Sequence, residues 1–357
     1  MCFVGRGGSL NTAYLDMIQG KNPGITPVWY MRQAGRSQAA YRKIKEKYTL
    51  FEITKQPELC AQVTELPVKE YGVDVAILYK DIMSPMVAIG VNVDIKPGVG
   101  PVFDTPIRRI EDIERLHAFD ATKVEYIAKT IELLTTEVLD VPLIGFCGAP
   151  FTIASYLIEG GPTKSYNKTR GMLISEPEIW NGLMEKLADM SIEYLTMQAR
   201  AGANALQIFD SWVGAVNSTE YEQAIFPHMN RIISTVKSRF PNLPLAMNGV
   251  GTDHLVSTWA KLPLDVIALD WRSSLGAAKD RGVKQTVQGN LDPAYLYGDT
   301  KTIAKVVDEI LMDGVRHGKH VFNLGHGVFP EADPAKLHWL TDYVHEKSRE
   351  LWARESR

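Results

Sequence analysis

Two arginines separated by three residues, Arg32 and Arg36, are the first candidates for chemistry in this sequence. They lie with Gln33 in a polar stretch that follows a short apolar run at residues 28–31. An arginine guanidinium presents a planar fork of N–H donors that matches a carboxylate or a phosphate. Gly35 allows the backbone to bend or to approach a ligand closely. The stretch predicts an anion-binding loop, although a solvated basic loop is the simpler reading when the stretch is considered alone.

Polar side chains also follow most of the later apolar runs. These residues are Asp81, Asp210, Ser211, Trp212, Asn248, Asp270, Trp271, Arg272, Gln288, Asn290, Asn323 and His326. Carboxylates and imidazoles can transfer protons, and the glycines on both sides of His326 clear space around its ring. A polar basin at one end of a sheet is therefore favoured over a merely solvated rim.

Eight short apolar runs are typical of strands buried on both faces, as in parallel sheets. They span residues 28–31, 73–78, 141–146, 205–209, 243–247, 265–269, 283–287 and 319–324. Helical segments separate them, the clearest at residues 175–201, where Ser175 and Glu178 form a plausible capping box. Eight strand–helix repeats predict an α/β fold, a (β/α)8 TIM barrel. A doubly wound sheet is the alternative, but the sequence contains no G-x-G-x-x-G phosphate loop.

An insertion after the second strand, at residues 83–103, contains an alternating stretch that predicts a small hairpin beside the barrel. No composition break divides the chain, so residues 11–357 are predicted to form one catalytic domain. Residues 1–10 lack a secretory hydrophobic core and are predicted to be a mobile tail.

Composition argues against several classes of protein. The 357 residues carry a net charge of −3 with no dense basic run, which argues against a nucleic-acid partner. No apolar stretch approaches the roughly 20 residues that span a bilayer, so no membrane partner is predicted. The cysteines, Cys2, Cys60 and Cys147, have no metal-binding spacing. They predict a reducing, cytoplasmic location and no structural zinc or disulfide.

Some of the polar residues have a structural interpretation that competes with a functional one. Asp292 precedes Pro293, an order typical of a helix start. Asp210 could accept hydrogen bonds from backbone amides of its own loop. Asp270 and Arg272 could form an ion pair with each other.

Several long motifs carry a resemblance. They read Met31-Arg-Gln-Ala-Gly-Arg36, Gly145-Phe-Cys-Gly-Ala-Pro-Phe-Thr152, Gln207-Ile-Phe-Asp-Ser-Trp212, Gln288-Gly-Asn-Leu-Asp-Pro293 and Phe322-Asn-Leu-Gly-His-Gly327. Through these motifs the chain resembles the uroporphyrinogen decarboxylase family. The resemblance implies a single barrel, a homodimer and no metal or organic cofactor. It also implies removal of carbon dioxide from the four acetate arms of uroporphyrinogen, which gives coproporphyrinogen in haem synthesis.

The family's site positions fall on residues that the strand ends had largely indicated. The resemblance implies substrate binding by Arg32, Gln33, Ala34, Arg36, Lys45, Asp81, Tyr156, Ser211 and His326. It implies catalytic roles for Asp81, Arg32, Tyr156 and His326. Only Ala34, Lys45 and Tyr156 come from the resemblance alone.

The chemistry favours the same residues. Loss of carbon dioxide from a pyrrole arm leaves a carbanion, which the ring can absorb once a ring carbon is protonated and the ring is cationic. Asp81 combines charge and acceptor oxygens, so we expect it to stabilise that cation. Arginines are expected to hold the other carboxylates, and delivery of the proton by one of them, despite its high pKa, stays open.

The sequence also departs from the family pattern. Where the family often reads Phe-Ser-Asp, this chain has Tyr79-Lys80-Asp81, and Ala39-Ala40 replaces a common Pro-Glu. Two alternatives stay open: a zinc- and cobamide-linked methyltransferase with the same barrel, and a non-catalytic tetrapyrrole-binding protein. The methyltransferase needs thiolate or histidine ligands late in the chain, and no cysteine follows Cys147.

Overall fold

The computed structural model describes residues 10–96 and 100–355. At its centre is one sheet of seven parallel strands, which lie side by side in their order along the chain. An antiparallel pair, β2 and β3, lies outside this sheet. The strands are β1 (Ala76–Ile77), β2 (Asp94–Lys96), β3 (Gly100–Val102), β4 (Leu143–Gly148), β5 (Ala205–Asp210), β6 (Leu245–Gly249), β7 (Val266–Ala268), β8 (Thr286–Gln288) and β9 (His320–Val321).

Helices connect most of the strands and cover the sheet. They are α1 (Ala13–Ile18), α2 (Ala39–Lys45), α3 (Leu50–Thr54), α4 (Pro57–Tyr71), α5 (Ser84–Ala88), α6 (Ile110–Glu114), α7 (Glu125–Leu133), α8 (Pro150–Glu159), α9 (Asn167–Ser175), α10 (Pro177–Arg200), α11 (Ser218–Ala224), α12 (Phe226–Arg239), α13 (Val256–Trp259), α14 (Thr300–His317) and α15 (Pro334–Glu355). Helix α10 packs against α12, and α14 packs against α15.

Burial of the sheet on both faces explains its apolar sequence. Strands β4, β5 and β6 are buried along their whole length. Their register pairs Ile144 with Ala205 and Leu206 with Leu245, so the carboxyl ends of neighbouring strands lie at the same end of the sheet. Seven of the eight strands that the sequence predicts are therefore confirmed, and the α/β class with them.

The first predicted strand, at residues 28–31, is wrong as a strand. Val28 forms only an isolated parallel bridge with Phe322. Three backbone N–H groups of this segment donate to side chains instead of to a neighbouring strand. The N–H of Val28 donates to the Asp74 carboxylate at 2.7 Å, and the N–H of Tyr30 donates to the Gln33 side-chain oxygen at 2.9 Å. The N–H of Met31 donates to the Asn323 side-chain oxygen at 2.9 Å.

This segment nevertheless joins the two edges of the sheet. The N–H of Phe322, directly after β9, donates to the carbonyl of Pro27 at 2.8 Å, and the N–H of Asp74, two residues before β1, donates to the carbonyl of Val28 at 2.8 Å. The sheet is therefore curled, with residues 27–28 between its first and last strands.

Other predictions have mixed outcomes. The capping box at Ser175 and Glu178 is wrong, because Ser175 ends α9 and α10 begins at Pro177 without a side-chain cap. The insertion contains the antiparallel pair, but residues 97–99 between its strands lie outside the described residues, so the hairpin stays a prediction. The predicted mobile tail, except for Leu10, also lies outside them. Among the described helices, none combines the length and apolar character needed to cross a membrane.

Candidate active site

A cavity of about 350 Å³ opens at the carboxyl end of the sheet, next to β1, β4 and β5. Six of the predicted site residues line it: Arg32, Ala34, Arg36, Asp81, Tyr156 and Ser211. Its apolar wall includes Ile77, Leu78, Ile82, Phe146, Phe209 and Val328. The cavity thus combines cations and one carboxylate with a hydrophobic surface.

The loop after β1 holds the Asp81 carboxylate in one orientation. Its Oδ1 accepts hydrogen bonds from the N–H groups of Met83 at 2.5 Å and Ser84 at 2.7 Å. Its Oδ2 accepts from the Ser84 hydroxyl at 2.7 Å. Two carboxylate oxygens offer about four acceptor positions, so capacity remains for a donor in the cavity. Asp81 therefore has a structural function in its loop and is also pre-oriented at the cavity.

Arg32 has an unusual backbone conformation, with φ at +58°. For a residue with a side chain this left-handed region costs of order 1–3 kcal/mol, and such strain clusters at functional sites. Hydrogen bonds on both sides hold the turn: the N–H of Gln33 donates to the Tyr30 carbonyl at 2.9 Å, and the N–H of Val328 donates to the Met31 carbonyl at 2.8 Å. The fold thus imposes the direction in which the Arg32 side chain leaves the backbone.

The side chain of Arg32 runs along the loop that carries His326. A Cβ on Gly327 would lie 2.5 Å from Arg32 Cδ, so the glycine makes room for the arginine. Burial lowers the pKa of the guanidinium, Tyr156 opposes this shift, and Arg36 adds to it. Gly327 therefore clears space for Arg32, whereas the sequence predicted that it clears space around the His326 ring.

His326 lies beside the cavity and is absent from its lining residues. Its ring packs edge-to-face on Trp271 with centroids 6.3 Å apart. Burial lowers the pKa of the imidazole below its ordinary value, and the charges of Arg32 and Arg272 lower it further. The ring is therefore neutral at pH 7 and can accept or donate a hydrogen bond.

Gln33 points away from the cavity. Its side chain is fully buried, accepts from the Tyr30 N–H at 2.9 Å and donates to the Val75 carbonyl at 3.0 Å. It joins the turn that carries Arg32 to the segment that carries Asp81. In this geometry Gln33 is suited to position two cavity residues, in contrast to the direct substrate contact that the sequence predicts.

Replacement of Gln33 by leucine should therefore lower the free energy of unfolding by about 3 kcal/mol, because a buried N–H and a buried carbonyl lose their partners. Urea denaturation measures this loss. Gln56→Leu is the matched control, since Gln56 is exposed and bonds only a helix carbonyl, and it should change stability by less than about 0.5 kcal/mol. Unchanged stability of the Gln33 variant with a raised KM would instead indicate direct substrate contact.

The remaining predicted residues differ in position. Tyr156 lies on α8, and its ring packs on Trp212 with centroids 3.9 Å apart. Burial raises the pKa of its hydroxyl, which therefore stays protonated at neutral pH. Ser211 directly follows β5 and lines the cavity. Lys45 ends α2, is half-buried and is not among the lining residues, so it is separated from the group.

Among the structural interpretations, two are confirmed. Asp292 accepts from the N–H of Ala294 at 2.9 Å as a helix cap, and Arg272 pairs with Asp270 at 2.8 Å. The interpretation of Asp210 named the wrong hydrogen-bond donor. Its carboxylate accepts from the Thr152 hydroxyl at 2.8 Å, and not from backbone amides of its own loop. Burial raises the pKa of Asp210 to about 7.

Sequence reasoning missed Lys80, Tyr41 and Tyr79, all of which line the cavity. The hydroxyls of the two tyrosines lie 2.6 Å apart in a hydrogen bond. The departure from the family at Tyr79-Lys80 was a signal for two of these residues, but no pattern indicated which way their side chains point.

The two arginines and the Asp81 carboxylate at one partly apolar cavity suit an anionic ligand with an apolar body. The family model for uroporphyrinogen decarboxylase matches residues 9–347. The uroporphyrinogen decarboxylase of Geobacillus sp. (strain WCH70) is 56% identical over 94% of this chain and 97% of that protein. That of Bacillus subtilis (strain 168) is 56% identical over 96% of both chains. The chain belongs to the uroporphyrinogen decarboxylase family.

Among solved structures, a methyltransferase from Methanosarcina mazei has a TM-score of 0.76, at 17% identity, and covers 97% of this chain and 99% of that chain. At this identity the likeness shows the fold alone. It supports the curled parallel sheet with surrounding helices, and the family assignment rests on the sequence matches.

Proposed function

We propose that this chain decarboxylates the four acetate arms of uroporphyrinogen to give coproporphyrinogen, without a metal or organic cofactor. The observation that carries the proposal is the meeting of Arg32, Arg36 and the Asp81 carboxylate at one cavity, in a chain of this family. Guanidinium forks fit the substrate carboxylates. A single fixed carboxylate fits a pyrrole that is neutral in the ground state and cationic after protonation.

The electrostatic contribution of Asp81 is large enough to matter. At about 4 Å and an effective dielectric near 20, attraction between the carboxylate and a protonated pyrrole is roughly 4 kcal/mol, about a thousandfold in rate. Because the loop amides already orient the carboxylate, little reorganisation is needed when the charge develops. The interaction is stronger in the transition state than with the neutral ring, which is the condition for catalysis.

The other residues have supporting roles in the proposal. Arg32 and Arg36 hold carboxylates of the arms that are not reacting. Tyr156 and Ser211 offer hydroxyls to the bound tetrapyrrole, and Ala34 leaves room for it. Neutral His326, next to Arg32, accepts or donates a hydrogen bond to the substrate. Lys45 contacts an arm that extends beyond the cavity.

We further infer that residues 27–31 occupy the eighth strand position of a (β/α)8 barrel. This barrel forms a catalytic domain spanning residues 11–357, and the β2–β3 segment is a hairpin insertion in it. The hydrogen bonds of residues 27–28 to both edges of the sheet support this inference. A homodimer is the assembly that the family resemblance implies, and a reducing cytoplasm is the location that the cysteine content predicts.

Anaerobic incubation with uroporphyrinogen under reducing conditions tests the activity. Stepwise loss of carboxyl groups, followed by mass, is the expected result. Binding without any loss of mass would instead favour a non-catalytic tetrapyrrole-binding protein.

Chelators should leave this turnover unchanged. In the part of the chain that the structure describes, no group of three or more His, Cys, Asp or Glu side chains is arranged to hold a metal ion. Turnover is measured after dialysis against a chelator and again after zinc is added back. Loss on chelation with recovery on zinc addition would revive the methyltransferase-like alternative.

A further inference from the structure

Lys80 is the one ammonium group among the residues that line the cavity in the described chain. It lies directly before Asp81, at the position where the family often has serine. Its Nζ donates to the Phe146 carbonyl at 2.6 Å and to the Tyr194 hydroxyl at 2.8 Å. An ammonium has three donors, so these two bonds leave one N–H for another partner.

The surroundings of Lys80 are mostly aromatic. Its Nζ lies 3.9 Å from the centroid of the Phe146 ring and 4.4 Å from that of Tyr194. Burial lowers the pKa of Lys80 to about 7, and the nearby Asp81 partly opposes the shift. The group is therefore divided between its ammonium and amine forms at neutral pH.

The other cavity groups are poorly matched to proton transfer from a side chain at neutral pH. The guanidiniums of Arg32 and Arg36 are poor acids, since an arginine keeps its proton throughout the ordinary pH range. Burial raises the pKa of Tyr41, Tyr79 and Tyr156, which makes their hydroxyls weaker acids. General acids work best when their pKa lies near the operating pH.

We propose that Lys80 is the general acid that protonates the pyrrole ring before carbon dioxide is lost, and the base that later removes the same proton. The inference rests on the proposed function. Its geometric basis is that Lys80 lines the cavity and that its ammonium lies 3.9 Å from the ring of Phe146, another lining residue, with one donor beyond its two hydrogen bonds. Lys80 is also adjacent in the chain to Asp81, the carboxylate that stabilises the resulting cation.

The step balances. An N–H bond of Lys80 breaks and a C–H bond forms on the ring, which becomes cationic. The bond between the arm methylene and its carboxyl carbon then breaks, its electron pair neutralises the ring, and carbon dioxide leaves. Water supplies the proton that turns the exocyclic methylene into a methyl group, and the ring proton returns to the Lys80 amine. Each arm thus consumes one solvent proton.

The pH dependence follows from the groups that face Lys80. They are Asp81 in its own loop, Cys60 on α4, Cys147 on β4 and Tyr194 on α10. Burial raises the pKa of both thiols to about 12 and raises the pKa of the Tyr194 hydroxyl well above its ordinary value, so these three groups stay neutral near pH 7. Lys80 must be protonated to act as the acid, so the rate should fall as the pH rises through about 7.

The test is the single-turnover rate of uroporphyrinogen decarboxylation between about pH 5.5 and 9. The parent should lose rate with a midpoint near pH 7. Lys80→Met should be about a hundredfold slower at low pH and have no such midpoint, and Lys80→Arg should also lose the midpoint, because a guanidinium keeps its proton. Lys301→Met is the matched control, because Lys301 is an exposed residue on α14, and it should retain the parent's rate and midpoint.

Each outcome separates the explanations. Persistence of the midpoint in Lys80→Arg would overturn the inference and direct attention to Asp210, because burial raises the pKa of that carboxyl to about 7. Parental rates in Lys80→Met would overturn it as well. If Lys80 had only a structural role, its substitution would lower the melting temperature without moving the midpoint of the pH profile.

If Lys80→Met does not fold, Lys80→Arg alone decides, because arginine keeps the positive charge and the N–H donors. A parent that does not decarboxylate would refute the proposed function itself.

Discussion

Asp81→Asn should slow single-turnover decarboxylation about a thousandfold while the protein still folds and binds tetrapyrrole, because about 4 kcal/mol of charge stabilisation is lost. Asparagine keeps an acceptor for the N–H groups of Met83 and Ser84, so the loop after β1 retains its main bonds. The Ser84 hydroxyl can rotate to accept from the new amide. Only the charge is removed, and its effect is greatest when the ring is cationic.

The measurement combines the single-turnover rate with product affinity and thermal melting. Ser84→Ala is the matched control: it deletes the hydroxyl that bonds Oδ2 and keeps the carboxylate charge. It should cost about 1 kcal/mol of stability and less than about tenfold in rate. Asp81→Glu should fall between the two, since charge survives but shifts by a methylene. A folded asparagine variant with near-parental turnover would exclude Asp81 as the essential charge.

A structural role for Asp81 predicts a different pattern. If its main task were to hold its loop, Asp81→Asn and Ser84→Ala would both lower the melting temperature and change the rate by similar factors. The hydrogen bonds of Asp81 to its own loop make this a real alternative. If Asp81→Asn is much slower than Ser84→Ala although the two variants are equally stable, the charge of Asp81, and not its support of the loop, is what the reaction requires.

The sequence predicted the fold where local pattern and tertiary structure agree. Continuous apolar runs predicted β4, β5 and β6 because these strands are buried on both faces. Residues 28–31 have the same composition, yet Asp74, Gln33 and Asn323 take N–H groups that a ladder would use. Two of these partners are distant in sequence, so no local pattern could indicate the substitution of side chain for backbone.

The site follows the same logic at smaller scale. Asp81 and Ser211 were predictable because parallel strands bring their carboxyl ends together. Arg32 lies with them because residues 27–28, which are not a strand, bond to both edges of the sheet. Gln33 occupies an equally suggestive position, but the positive φ of its neighbour and its two backbone partners direct its side chain inward. Lys80 was visible only as a departure from a motif, since burial decides the acidity of an ammonium and composition does not encode it.

Arg32→Ala should reduce kcat/KM roughly a thousandfold, because a bidentate guanidinium makes two charge-assisted contacts with a carboxylate, each worth about 2 kcal/mol. Arg36→Ala should also reduce kcat/KM, because Arg36 lines the same cavity and offers the same planar fork of donors. Arg32→Lys should recover little, because lysine keeps the charge and loses the fork. Steady-state kinetics with uroporphyrinogen under anaerobic conditions give these ratios.

The positive φ at residue 32 complicates the interpretation of Arg32→Ala, because alanine adds backbone strain as well as deleting the guanidinium. A glycine at this position deletes the guanidinium without adding strain. Arg32 has φ +58°, which alanine tolerates poorly and glycine adopts freely. Arg32→Gly therefore keeps the turn and deletes the guanidinium, and it should lose as much activity as Arg32→Ala without the alanine variant's loss of stability. If Arg32→Gly kept parental turnover, or if Arg32→Lys matched the parent, the bidentate role would be wrong. If only Arg32→Ala were impaired, the turn itself, and not the guanidinium, would be the feature that catalysis requires.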